Sequence, residues 1–131
     1  MKVVALDFGR ARTGVAVSDP TDTLARPLGV VERAATEAGL ARVAELVREE
    51  EAEQVVVGLP LTLRGDRGEQ ARETEAFVEA LRAAVDVPVE TFDERFTTTL
   101  AESAENGMSG SAVDARAAAH LLTGYLAWRR R

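Results

Sequence analysis

The chain has no cysteine, which excludes disulfides, thiolate nucleophiles and cysteine-ligated zinc together. Its single histidine, His120, leaves no way to assemble a Ser-His-Asp or Cys-His set or a histidine-rich metal site. No apolar run approaches the ~20 residues that span a bilayer, and no basic-then-apolar leader opens the sequence. The expectation is a cytoplasmic protein with no membrane partner. Positive charge is also scarce: 16 Lys and Arg against 22 Asp and Glu leave a net charge of −6, which weighs lightly against nucleic acid as a partner. Neither an internal repeat nor a low-complexity segment is present.

What is there fits one domain, residues 1–131, long enough to bury roughly two-thirds of its unfolded surface in a single core. Charge distribution says more than the sum. All the basic residues but Lys2 are arginine, and Arg10, Arg12, Arg64, Arg67 and Arg95 sit beside the motifs below, whereas the acids concentrate on predicted helices.

The first twenty residues, MKVVALDFGRARTGVAVSDP, organise the rest. Val3-Val4-Ala5-Leu6 is an apolar run suited to a strand buried on both faces, and Asp7 ends it. Gly9 and Gly14 follow, then Val15-Ala16-Val17 and the turn signal Ser18-Asp19-Pro20. The pattern predicts a hairpin, its strands joined by about six residues with glycine at both ends. Leu28 to Val31, with Pro27 before it, suits an edge strand. Thr36 to Glu53 changes period: Leu40, Val43, Ala44 and Val47 form one helical stripe, and Glu49-Glu50-Glu51 reads as its solvated end. Val55-Val56-Val57 predicts a central buried strand ending at Gly58-Leu59-Pro60. The loop Leu61 to Gly68 carries Arg64 and Arg67. Its glycines Gly65 and Gly68 would let the backbone approach a ligand, and the same composition suits a plain surface loop. A helix follows over Glu69 to Val85, with Thr74, Phe77, Val78, Leu81 and Val85 as its stripe. Pro88 to Phe92 is the last strand and leads into Asp93-Glu94-Arg95. Thr97-Thr98 would cap a short helix closed by Asn106-Gly107. From Ser111 a final helix puts Asp114, Ala117, Ala118, Leu121, Tyr125 and Trp128 on one face. Right-handed crossovers make the two later strands parallel to the first. The expected fold is α/β, a five-stranded mixed sheet with strands 1–3 antiparallel and strands 4–5 parallel, flanked by helices.

Three acidic positions can meet in that topology: Asp7, the Asp93-Glu94 pair and Asp114. A carboxyl on an apolar strand is costly unless paired, hydrogen-bonded or metal-bound, so Asp7 either starts its own turn or is used. With the first strand central, the last lies two spacings away, about 9.6 Å, a gap that an inward Glu and a metal would close. Ala117 and Ala118 let the final helix approach the sheet. Local alternatives stay open: Asp114 as a first-turn partner of the helix dipole, three residues after Ser111, Asp93 as a cap, and Glu94 paired with Arg95. Clustered carboxylates repel by roughly 4 kcal/mol per pair at ~4 Å and an effective dielectric of 20, so three would want a divalent cation. Oxygen-only ligands select Mg²⁺ or Mn²⁺, and one or two such ions can support phosphodiester hydrolysis. His120 lies about 240° round the helix from Asp114 and is taken as structural.

LDFGRARTGVAVSD, VVVGLPLTLRGDRGEQA, TFDERFTT and DARAAAHLLTGYL, in this order, together resemble the YqgF family, also called RuvX. The resemblance implies an RNase H-like fold and a metal-dependent nuclease that matures the 5′ end of pre-16S rRNA in ribosome biogenesis. Holliday junction resolution on branched DNA is the alternative. It implies Asp7, Glu94 and Asp114 as catalytic, metal-binding acids, with Asp93 the rival to Glu94. Gly58-Leu59-Pro60 stands where related nucleases keep an acid, which makes the fifth-strand acid necessary. Arg10, Arg12, Arg64, Arg67 and Arg95 are the expected nucleic-acid contacts. One departure stands out: Gly107 to Val113 replaces a lysine- and arginine-rich segment, which predicts weaker nonspecific nucleic-acid binding. Trailing Arg129-Arg130-Arg131 reads as a solvated tail. The first hairpin also resembles that of actin-like ATPases, which need two lobes where this chain has one. A non-catalytic RNA- or protein-binding factor with a dormant site is the third class. The chain is expected as monomer or homodimer, and Trp128 suits either core or interface.

Overall fold

Three extended runs open the chain and pair as an antiparallel meander: β1 (Val3–Asp7), β2 (Arg12–Ser18) and β3 (Ala25–Glu32). The structure, a computed structural model, describes residues 1–21, 23–60, 68–93 and 110–129, the first four residues of the last segment by backbone only. On the other side of β1, β4 (Gln54–Leu59) and then β5 (Val89–Asp93) join in parallel. The resulting order is β3-β2-β1-β4-β5 in one five-stranded sheet, with β4 and β5 parallel to β1 as expected of right-handed crossovers. Three helices flank it: α1 (Glu37–Glu49), α2 (Glu69–Ala84) and α3 (Gly110–Arg129).

Pleat alternation divides the apolar residues between two cores. Val4, Leu6, Val55, Val57 and Val89 meet α1 through Val43 and Val47 and α2 through Phe77, Val78 and Leu81. On the opposite face Val3, Ala5, Ala16, Val56 and Phe92 meet α3 through Ala118, Leu121, Leu122, Tyr125 and Leu126. A strand covered on both faces must be apolar throughout, and Val3 to Leu6 are all fully buried.

Boundaries differ from the sequence expectation where a distant segment intervenes. β2 begins at Arg12, so Gly14 lies inside the strand and not at the end of the turn. β3 begins at Ala25 and takes in Pro27. A proline without an N–H is tolerated there because β3 is an edge, bonded to β2 alone. The pairing slips between Val15 and Ala16 as β3 passes Leu28, next to Gly29 at φ +156°. Helix α1 is shorter than expected: Thr36 is its N-cap, accepting a bond from the Gly39 amide at 3.1 Å, and the helix stops at Glu49. Glu50 is not simply solvated, because Lys2 lies 3.1 Å and Arg26 3.7 Å from its carboxylate. On α3 the buried stripe adds Ala115, Leu122 and Leu126, whereas Trp128 is half exposed, its ring against Phe92 and Tyr125. The short helix expected after Thr97-Thr98 lies outside the described residues.

The end of α3 is tied to the sheet by a polar knot. Gln54 Nε2 donates to the Tyr125 hydroxyl at 3.0 Å, and that hydroxyl donates to Glu90. Burial first, and the bond to Glu90 second, push the Tyr125 hydroxyl above its ordinary value of 10.0. The folded chain thus keeps this proton where the unfolded chain has lost it, and stability falls as pH rises from about 10 through the folded value. Tyr125 is the sole tyrosine, so absorbance near 295 nm reports it alone. Its titration midpoint is expected above that of the guanidinium-unfolded chain. Tyr125→Phe should flatten the alkaline fall in denaturation midpoint.

Candidate metal centre

Asp7 is the last residue of β1, at the edge where the parallel strands β1, β4 and β5 all end, the edge at which open α/β sheets carry their sites. Its parity with Val3 and Ala5 puts it on the α3 side of the sheet, and its partner across the antiparallel ladder is Gly14. Residues opposed in such a ladder face the same way.

Gly14 brings the second acid to the first. A Cβ built there would stand 1.9 Å from the carbonyl oxygen of Asp114 and 2.5 Å from its carbonyl carbon. Only a hydrogen fits, so the backbone of α3 rests on β2 at the residue paired with Asp7. A glycine isolated in a β-branched run is the sequence sign of such close approach.

Arg12 opens β2 with the same parity as Gly14, and its Nε lies 3.0 Å from Asp114 Oδ2. The first described turn of α3 holds no acid, so Asp114 answers to an arginine across the interface and not to a helix cap. Arg10, in the turn, points to the other helix layer. Its Nε donates to Glu73 Oε2 at 2.7 Å, its Nη2 to Oε1, and Glu69 lies 3.7 Å away. The bidentate bond raises the Arg10 guanidinium above its ordinary range and holds the Glu73 carboxyl below its own, with the charge attraction adding in the same sense. Sequence reasoning found both arginines but neither acid partner. The open groove of about 430 Å³ beside this turn, lined by Phe8, Gly9, Arg10, Glu69, Gln70 and Glu73, thus sets one cation against two carboxylates and makes a poor anion pocket.

Asp93 pairs with Leu59 in the β4–β5 ladder and has the parity of Val89, which packs in the α1–α2 core. The alternation turns it away from the face of Asp7 and Asp114. Glu94, Arg64, Arg67 and Arg95 lie outside the described residues. Among those described, no three His, Cys, Asp or Glu side chains gather closely enough to hold a metal. Asp7 and Asp114 carry hard oxygen donors, a chemistry that suits Mg²⁺ or Mn²⁺. His120 is partly buried on α3.

The sequence profile of the RuvX family, described as Holliday junction resolvase, matches residues 1–128. A protein of Anaeromyxobacter sp. (strain Fw109-5), named "Putative pre-16S rRNA nuclease", is 48% identical over 132 residues that cover 96% of each chain. One of the same name from Chloroflexus aurantiacus (strain ATCC 29366 / DSM 635 / J-10-fl) is 40% identical over 134 residues, 98% of this chain and 88% of the relative. Among solved structures, RuvC of T. thermophilus in complex with a Holliday junction substrate superposes with a TM-score of 0.65 at 23% identity, over 99% of this chain and 96% of that one. The Fowlpox virus resolvase, solved with Holliday junction DNA, does so at 0.59 and 9% identity, over the whole of both chains. The fold is therefore RNase H-like, as the motifs implied. No described helix is long and apolar enough to cross a membrane.

Gly14→Ala is expected to force α3 off β2. Overpacking of this kind costs roughly 1–3 kcal/mol, read as a lower denaturant midpoint, whereas Gly68→Ala, where a Cβ meets nothing within 4 Å, should leave the midpoint nearly unchanged.

Proposed function

Because this chain belongs to the RuvX family, we propose that it is a metal-dependent nuclease, a single RNase H-like domain over residues 1–131 that hydrolyses phosphodiester bonds in the 5′ region of pre-16S rRNA. The observation that carries the reading is the seating of Asp114 on Gly14, the ladder partner of Asp7. It sets the backbone of Asp114 beside the ladder partner of Asp7, two positions far apart in the chain.

Asp7, Asp114 and Glu94 would hold Mg²⁺ or Mn²⁺, Glu94 being preferred over Asp93 because the pleat of β5 turns Asp93 to the opposite face. The ion, once bound, lowers the pKa of a water and stabilises the leaving oxygen of the phosphodiester. The chain's own part is to hold its carboxylates still: Asp7 on a strand buried on both faces, Asp114 on a helix that cannot slide past Gly14. Their mutual repulsion is met by folding and does not have to be overcome at each turnover. Arg10, Arg12, Arg64, Arg67 and Arg95 are the proposed phosphate contacts, and Arg10 and Arg12 must exchange carboxylate partners for phosphate. A role in ribosome biogenesis places the protein in the cytoplasm, as monomer or homodimer. The family's description favours a second reading, cleavage of branched DNA.

The deciding experiment incubates wild type and Asp7→Asn with Mn²⁺ and two labelled substrates, a pre-16S 5′ fragment and a four-way DNA junction. Wild type should cut the RNA. Asp7→Asn should lose more than about 100-fold in rate, since removing groups that only orient metal ligands already costs about 10–100-fold. Cleavage of the junction alone would move the substrate to DNA. Cleavage of neither, with RNA binding retained, would make the protein a non-catalytic factor.

A further inference from the structure

The pairing of Arg12 with Asp114 carries a consequence for metal affinity, resting on the proposal that Asp114 is a metal ligand. We infer that Arg12 is the resident counter-cation of the site: in the metal-free protein it holds Asp114, and a divalent ion gains that carboxylate only as the guanidinium leaves.

Three observations converge on this exchange. Arg12 Nε and Asp114 Oδ2 are 3.0 Å apart, so an ion on the same carboxylate would stand beside a like charge, and close like charges repel strongly in a half-desolvated site. The Arg12 side chain is 46% exposed whereas Asp114 is 30% exposed, so the arginine has solvent to swing into while the acid stays with its helix. The backbones at both ends are fixed, Arg12 by its ladder pairing with Glu32 and Asp114 by its contact with Gly14; the adjustment therefore falls to the arginine side chain. Arg10 cannot take its place, being held bidentately by Glu73 on the side of α2. Arg12 thus neutralises Asp114 in the metal-free protein and lowers metal affinity by the strength of its own pair.

The test measures Mn²⁺ affinity directly, from the EPR signal of free ion, on the full chain as wild type, Arg12→Gln, Arg12→Lys, Asp114→Asn and the Arg12→Gln/Asp114→Asn double variant, each checked for folding by its thermal melt. Arg12→Gln should bind Mn²⁺ roughly fivefold more tightly, the fold-change equivalent to a partly exposed ion pair. Arg12→Lys keeps the charge and should stay near wild type. In the Asp114→Asn background, Arg12→Gln should change nothing, because the partner it releases is gone. Unchanged or weaker binding by Arg12→Gln would overturn the inference, as would equal tightening with and without Asp114, which is bulk electrostatics. If wild type and Arg12→Gln both fail to bind Mn²⁺, the metal assignment of Asp114 falls and the inference with it. If wild type binds and Asp114→Asn does not, that assignment stands whatever Arg12→Gln shows.

Discussion

One steric contact governs the candidate site: the carbonyl of Asp114 lies where any side chain at position 14 would be. Packed interiors transmit such constraints because they have few voids into which a helix can relax. With Asp114 seated on β2, the buried small residues Ala115 and Ala118 bring α3 close to the sheet, and Tyr125 fastens its far end to Gln54 and Glu90. Two anchors about three turns apart set the line of the helix across the sheet.

Around that line the electrostatics are local. The hairpin of β1 and β2 carries Arg10 and Arg12, each committed to a carboxylate from a different helix, Arg10 to Glu73 on α2 and Arg12 to Asp114 on α3. In a chain of net charge −6, the hairpin is thus a set of neutralised pairs more than a cationic patch. Phosphate must compete there with carboxylates already in place.

The sheet itself sorts the candidate acids. A strand sends adjacent residues to opposite faces. Because Val89 packs against the α1–α2 layer and Phe92 against α3, the parity of β5 assigns Asp93 to the first of these. The topology shared with RuvC at 23% identity brings strand ends together, and the pleat then sets which face each strand residue takes.

Much was legible in the sequence because it is locally encoded. Apolar runs marked β1 and β4, helical stripes marked α1 and α2, and crossover handedness made the later strands parallel to the first. The motifs at Asp7 and Asp114 pointed to the family and to two acids on one face. Apolar periodicity records which side of an element is covered; it does not record how closely another backbone comes. Gly14 therefore read as turn punctuation until α3 lay on it, and Glu50 as solvated until Lys2 and Arg26 reached it, whereas Pro27 correctly marked an edge strand that begins two residues before it. The partner of Arg12 was hidden for the same reason: ion pairs between residues far apart in the chain follow from the packing that places them. The sequence alone determined the elements, their order and the acids available, and tertiary structure decided that the final helix rests on Gly14 and that Arg12 holds Asp114, because only packing sets distances between remote segments.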